Sequence, residues 1–338
     1  MRTGNLLETV GRTAGNAFEA AQAARFGERY HAYRRDFAAA SRLEFVPAFP
    51  LYIMLEQSFR CILRCPSCIH GHPEAVRACT PGVPLMPFEL FARIVEEGAA
   101  HGLASLSLHA NDEPLLVPDL AKRVRLAARS GIMDIIMTTN GLLLTEERAR
   151  ELLEAGLTHI LFSLDACTPE TYAKVRGGNF AKVLESIDIV RRLRGGSPYP
   201  LLRASFVRSR LNEHEQERFV EFFRERVDYL EVQTFSAFKG LNENLIPTGV
   251  RPASAFHCAM PFTRLMVRPD GEVLPCCSFY AYDIPVGNLR ADSLAAIWHG
   301  QAMERLRDQA RQGRYTNPTC QECLAATLVP DSAGEANP

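Results

Sequence analysis

Six short apolar runs, at residues 51–57, 103–110, 133–140, 159–165, 201–209 and 229–235, alternate with amphipathic helical patterns. The helical patterns start after Pro87 and Pro118 and at Thr145, Asn179 and Asn212; the last three residues suit N-caps, and Gly131 and Gly156 suit helix stops. Such alternation pairs strands in parallel through right-handed crossovers. Six units are too few to close an eight-stranded barrel, so the sequence predicts an α/β fold with a partial (β/α)6 TIM-type barrel over residues 47–239. Ligands of parallel α/β folds gather where strands end and helices begin, and chemistry is expected in those loops. Residues 1–46 read as a helical lid or strut. After Phe235 a Gly/Asn/Pro-rich connection leads to a hairpin turned by Asp270 and Gly271, then to a helix from about Asp292 to Gln312. Together these predict a small α+β unit over 240–328 and a flexible tail over 329–338.

Lys+Arg 38 against Asp+Glu 39 leaves a net charge of -1, which argues against nucleic acid as a partner. No run approaches the length of about eighteen apolar residues that a membrane span needs. The start, MRTGNLLETVGRTAG, lacks the apolar core of a secretory signal, so a cytoplasmic protein without membrane partners is expected. A reducing compartment opposes disulfides, yet the chain has ten cysteines, most of them clustered. Clustered intracellular cysteines read as metal or catalytic sites.

The first cluster, RCILRCPSCIHGHP, follows the first strand with the spacing Cys61-x3-Cys65-x2-Cys68. Three thiolates from one loop suit a cubane 4Fe–4S cluster, leaving one iron open to a substrate. A zinc site completed by His70 or His72 is the alternative. In the second group, Cys258, Gly271 and Cys276 form C-x12-G-x4-C, and Cys320-x2-Cys323 follows. Four such cysteines suit either a closed zinc ribbon or a fully ligated iron–sulfur cluster. Cys277 beside Cys276 reads as a small buried hydrophobe, an alternative ligand or a hydrogen-atom donor.

With its cysteine loop after the first strand of a partial barrel, the chain resembles the radical S-adenosylmethionine (radical SAM) superfamily. The resemblance implies that the amino and carboxylate groups of S-adenosylmethionine chelate the open iron. The reduced cluster then cleaves the sulfonium to methionine and a 5′-deoxyadenosyl radical. It further implies cofactor contacts at the strand ends. Asn111, Asp112, Glu113 and Pro114 resemble the family's Gly-Glu motif, with Asp112 where the family has Gly. Asn140 ends the third strand; Ser163 and Asp165 end the fourth, with Arg176 downstream; Arg208 and Gln233 end the fifth and sixth. Ser67 and Ile62 depart from the bulky residue and the Asn usual at their positions. The second group resembles the twitch form of a SPASM-type domain, as in 2-deoxy-scyllo-inosamine dehydrogenases, with Cys258, Cys276, Cys320 and Cys323 ligating an auxiliary 4Fe–4S cluster.

A fully ligated auxiliary cluster favours oxidation of a carbinol carbon, with His109 as candidate base. Cys79 and Cys167, placed near the barrel mouth by topology, keep epimerisation open as hydrogen-atom donors. Residues 1–46 are shorter and more helical than the leader-binding domain of peptide-modifying relatives, so a sugar-like or aminocyclitol substrate is expected ahead of a short peptide. An external one-electron reductant such as a flavodoxin or ferredoxin is the expected partner. A non-catalytic scaffold with two zinc sites is the alternative from another class.

Overall fold

A computed structural model describes residues 12–238, 240–254 and 256–331. Its strands are β1 (Tyr52–Leu55), β2 (Ser105–Ser107), β3 (Asp134–Thr139), β4 (His159–Ser163), β5 (Leu201–Arg208), β6 (Tyr229–Thr234), β7 (Val250–Pro252), β8 (Arg264–Val267), β9 (Glu272–Leu274), β10 (Gly287–Asn288) and β11 (Leu328–Pro330). The helices are α1 (Arg12–Phe26), α2 (Glu28–Ser41), α3 (Pro73–Cys79), α4 (Phe88–Ala100), α5 (Leu120–Arg129), α6 (Glu146–Ala155), α7 (Pro169–Val175), α8 (Phe180–Arg194), α9 (Gln216–Phe223), α10 (Met260–Thr263), α11 (Leu294–Trp298), α12 (Gln301–Gln312) and α13 (Pro318–Ala325).

Strands β1 to β6 lie side by side and parallel in chain order, as the alternation predicts. Each strand has an outer face under the helices, where Ile135, Met137, Ile160, Phe162, Ala204 and Phe206 are fully buried. The opposite face carries Ser107, Thr138, Ser163, Arg203 and Glu231, on the same side as Val207 at the cavity described below. The apolar side therefore binds the helices while a polar lumen is left for a ligand. Local chemistry sets the helix ends: Thr145 and Asn179 accept the Arg148 and Lys182 amides, and Gly156 closes α6 in the left-handed region at φ 103°.

Helices α1 and α2 are a strut beneath the barrel rather than a lid. Gln22 donates to the Met133 carbonyl (3.0 Å) and the Asp134 carboxylate (2.7 Å) at the start of β3. Tyr30 and Tyr33 pack on Ala104 and Met133, the residues leading into β2 and β3.

Four sequence expectations are corrected. Strand β8 pairs in parallel with β1, so the hairpin β8–β9 continues the barrel sheet in the order β10-β9-β8-β1-β2-β3-β4-β5-β6. This covers the apolar edge that β1 would otherwise expose. The helix from Asp292 to Gln312 is two helices broken at His299 and Gly300, which lets Trp298 bury and donate to the Pro47 carbonyl (2.7 Å). Of the residues expected in a flexible tail, Val329 and Pro330 pair with Arg251 and Val250; residues 332–338 lie outside the described residues. Asn212 does not cap its helix. Its carboxamide accepts the Ser209 amide (2.7 Å) and donates to the Asp165 and Val207 carbonyls (2.8 and 2.9 Å), tying the ends of β4 and β5 together.

Candidate active site

The loop after β1 brings Cys61, Cys65 and Cys68 to one cavity of about 300 Å³, shared with Glu113, Asn140, Ser163 and Arg176. Its shape depends on tight backbone turns: the Cys68 amide donates to the Cys65 carbonyl (3.0 Å) and the Gly71 amide to the Cys68 carbonyl (2.9 Å). A side chain at Gly71 would place its Cβ 2.3 Å from the Cys65 carbonyl oxygen, so only glycine fits there. His70 and His72 are spent on backbone carbonyls through Nε2, His70 on Asn111 in the loop after β2 (2.6 Å) and His72 on Pro66 in the cysteine loop (3.1 Å). A larger cleft of about 820 Å³ lies beside Tyr280 and α13, but no cysteine lines it.

The surroundings of the thiols suit metal-bound thiolates. The Leu63 amide and Asn140 Nδ2 face the Cys61 sulfur at 3.4 and 3.9 Å, and Arg176 Nη1 faces the Cys65 sulfur at 3.9 Å. Burial pushes the Cys68 thiol up to about 12 and raises that of Cys61. A thiol held protonated by burial needs a metal charge to stabilise its anion, and binding then releases the proton. In both cysteine groups the amide two residues on faces the sulfur: Leu63 for Cys61, His70 for Cys68, Met260 for Cys258 and Ser278 for Cys276.

Around this loop each polar residue has a definite task. Glu113 accepts from Thr139 Oγ1 (2.6 Å) and the amides of Leu115 (3.1 Å) and Asn140 (2.9 Å); burial pushes its carboxyl up to about 7. Asp112 accepts the amides of Gln57, Ser58 and Ala110, so its carboxylate shapes the loop. Asn111 donates to Tyr282 at 2.8 Å. Asp165, in the left-handed region at φ 60°, accepts the Val207 amide (2.8 Å) and pairs with Arg176 at 2.5 Å. Arg208 and Gln233 stand apart from the cavity: Arg208 donates to the Thr248 carbonyl (2.6 Å) and Gln233 to Glu231 (2.7 Å).

The proposed base and donors also fall out differently. His109 lines the cavity, but its Nδ1 accepts the Thr138 amide (3.1 Å), which leaves Nε2 carrying the proton. Burial pushes the ring down to about 3, so His109 is built to donate a hydrogen bond rather than to take a proton. Cys167 is buried in the main core, its amide bonded to Glu215 (2.8 Å) and its thiol pushed up to about 12 by burial. Cys79 ends α3 against Phe59, Ile69 and Phe238. Neither thiol lines the cavity. The sequence pattern did not point to Thr139 or Tyr172 and gave Asn212 only a capping role, because their contacts cross strands; the four-residue step from Tyr172 to Arg176 is the one local signal that could have linked Tyr172 to the site.

The second group draws Cys258 from before α10, Cys276 from after β9, and Cys320 and Cys323 from one face of α13. Burial pushes Cys258 up to about 12 and Cys320 up to about 11, and nearby Cys320 and Cys323 add to the shift at Cys258. Ser278 Oγ lies 3.5 Å from the Cys323 sulfur, and Tyr315 accepts the Cys258 amide at 2.9 Å. Cys277 packs, with Cys276, Tyr52 and Ala110, on the apolar cluster of Met54, Met266, Leu274 and Ala281. Among the described residues no three His, Cys, Asp or Glu side chains converge on a single ion. Ligands of a cubane bind separate irons and spread wider than four ligands on one zinc.

Sequence profiles match in the same places. The radical SAM superfamily covers residues 55–223, half of the 338-residue chain, and the SPASM iron–sulfur cluster-binding domain covers residues 258–324. GTP 3′,8-cyclase from Desulforamulus reducens is 34% identical over 176 residues, 51% of this chain and 50% of that protein. GTP 3′,8-cyclase from Lactiplantibacillus plantarum is 35% identical over 144 residues, 42% of each. The match thus spans half or less of these relatives' own length. Among solved structures, SuiB of Streptococcus suis bound to S-adenosylmethionine superposes with TM-score 0.65 at 16% identity, covering 88% of this chain and 76% of SuiB. BtrN in complex with AdoMet and 2-DOIA gives TM-score 0.52 at 20% identity, covering 78% and 87%. These likenesses are of fold. Because the superfamily profile runs through the cysteine loop and the strand ends that surround it, the chain belongs to the radical SAM superfamily, with a SPASM-type domain, and its cofactors are S-adenosylmethionine and 4Fe–4S clusters.

Proposed function

We propose that the chain oxidises a carbinol carbon of a small, polar, sugar-like or aminocyclitol substrate. Cys61, Cys65 and Cys68 hold the first cluster, and Cys258, Cys276, Cys320 and Cys323 hold the second. When bound, the first cluster and S-adenosylmethionine would supply a 5′-deoxyadenosyl radical that takes the hydrogen atom from the carbinol carbon; the second cluster would accept the electron left behind, and the hydroxyl proton would pass to solvent water, which completes the ketone. Glu113, with lone pairs left after its three hydrogen bonds, accepts from the cofactor ammonium, and Arg176 faces its carboxylate. Asn140 and Ser163 line the same wall; Asp112 and Asp165 act by shaping their loops. His109 offers Nε2–H to a substrate oxygen, and Arg203, Glu231 and Gln233 give the lumen the polarity a hydroxylated substrate needs.

The observation that carries oxidation is the position of Cys79 and Cys167 outside the cavity, which leaves neither thiol placed to return a hydrogen atom. Cys277 favours the second reading, epimerisation, because it packs on the same apolar cluster as Tyr52 of β1 and Ala110 of the cavity wall. An external one-electron reductant of the flavodoxin or ferredoxin type starts the cycle. Incubation of the reduced enzyme with S-adenosylmethionine and candidate aminosugars tests the proposal. One ketone per 5′-deoxyadenosine is expected. Product of unchanged mass with one solvent deuterium would establish epimerisation instead, and turnover of GTP would establish the activity named for the cyclase relatives.

A further inference from the structure

Helix α7 is short but firmly started, with Pro169 in its first turn and Thr168 accepting the Thr171 amide. It sets Tyr172 and Arg176 one turn apart, and the Tyr172 ring edge meets Leu63 of the first cysteine loop across Gly178, where an added Cβ would lie 3.4 Å from each. Arg176 is committed there to Asp165 and the Cys65 sulfur. Tyr172 is fully buried, and its hydroxyl has no hydrogen-bond partner among the described residues. Arg176 Nε is a second buried donor without a partner. The charged groups whose fields reach the phenol, Arg176, Cys65, Asp165 and Glu113, all belong to the first cysteine site. A buried hydroxyl left unpaired is rare in folded proteins, and one behind a cluster-binding loop gains acceptors when a cluster brings its own sulfurs to that loop.

We propose that the Tyr172 hydroxyl donates a hydrogen bond into the sulfur shell of the first cluster at its Cys65 corner and raises the reduction potential of that cluster. Tyr172 is thus a tuning residue outside the ligand set. The inference rests on the cluster held by Cys61, Cys65 and Cys68 and is independent of the substrate. Reduction adds negative charge to the cluster, so a donor to its sulfurs stabilises the reduced form more than the oxidised one. Losing the donor makes reduction, and hence cleavage of S-adenosylmethionine, harder.

Tyr172→Phe removes only the hydroxyl and keeps the ring packed against Phe180, whose centroid lies 5.2 Å away. In the full chain with both clusters loaded, potentiometric titration followed by electron paramagnetic resonance gives two midpoints. The cluster whose signal responds to S-adenosylmethionine is the first. Its midpoint is expected to fall by on the order of 59 mV, a tenfold change in a one-electron equilibrium, while the auxiliary midpoint stays in place. An unchanged first midpoint, or equal shifts in both, overturns the assignment. If Tyr172→Phe fails to load iron, Phe180→Leu loosens the same packing with the hydroxyl intact: equal iron loss there makes Tyr172 a packing residue and overturns the proposal, whereas retained iron and an unshifted midpoint support it.

Discussion

Replacing Asp165 by Asn isolates one charge at the edge of the proposed cofactor site. Asn tolerates the left-handed backbone at φ 60°, and its side-chain oxygen still accepts the Val207 amide at 2.8 Å. The loss is the carboxylate that meets Arg176 at 2.5 Å, in a pair whose side chains are 4% and 15% exposed. Breaking a buried ion pair from one side costs about 3–5 kcal/mol, because the remaining charge is left uncompensated. Solvent reaches the guanidinium enough to favour the lower end, about 3 kcal/mol. For a chain of 338 residues that corresponds to a fall in thermal midpoint of roughly 4 °C. Thermal unfolding of the iron-loaded protein, followed by circular dichroism, measures it. Combining Asp165→Asn with Arg176→Met should cost less than the sum of the single changes, since no unpaired charge then remains. A single-variant cost below about 0.5 kcal/mol, with additive behaviour in the double, would refute the pair as the brace between α7 and β4.

Gly71→Ala forces a methyl group to within 2.3 Å of the Cys65 carbonyl, so the variant should lose iron from the first cluster while keeping the second, as read by iron content and electron paramagnetic resonance. Cys276→Ala should remove about four irons, and Cys277→Ala should leave the iron content of the chain unchanged. For pH dependence, burial pushes Glu56 from 4.5 up to about 8 in the metal-free chain, against its bonds to Tyr282 and Arg268. The folded form then holds a proton that the unfolded form releases, so this contribution to stability is complete below 4.5 and is lost as pH rises to about 8. Urea unfolding of the metal-free chain from pH 5 to 8 should show stability falling, and Glu56→Gln should flatten that slope.

The barrel strands and the cysteine loop were legible because they are local: apolar runs and fixed spacings sit in consecutive residues. Strands β1 to β6 begin within two residues of the sequence positions, and the turn at Asp270 and Gly271 falls inside the β8–β9 hairpin. What sequence reading missed is set by contacts between distant segments. The pairing of β8 with β1 joins residues more than two hundred positions apart. Asn212 looks like an N-cap by position, yet the strand-end carbonyls of Asp165 and Val207 claim its amide. At the site, Arg208 and Gln233 end their strands as expected, but Arg208 turns to the Thr248 carbonyl and Gln233 is taken up by Glu231 within the lumen, so neither lines the cysteine cavity. Cys167 follows a strand that ends at the mouth, and Glu215 pulls its backbone inward. Side-chain direction at a strand end is decided by its neighbours, and periodicity carries no record of them.

If Cys61, Cys65 and Cys68 hold a cluster with one iron left free, as proposed, S-adenosylmethionine must perturb that cluster. Electron paramagnetic resonance of the dithionite-reduced, fully loaded protein, with and without S-adenosylmethionine, reads this. One of two cluster signals should change on addition, and Cys61→Ala should abolish that response while leaving the other signal intact. Two signals that both ignore the cofactor in a fully loaded sample would contradict the assignment of the site.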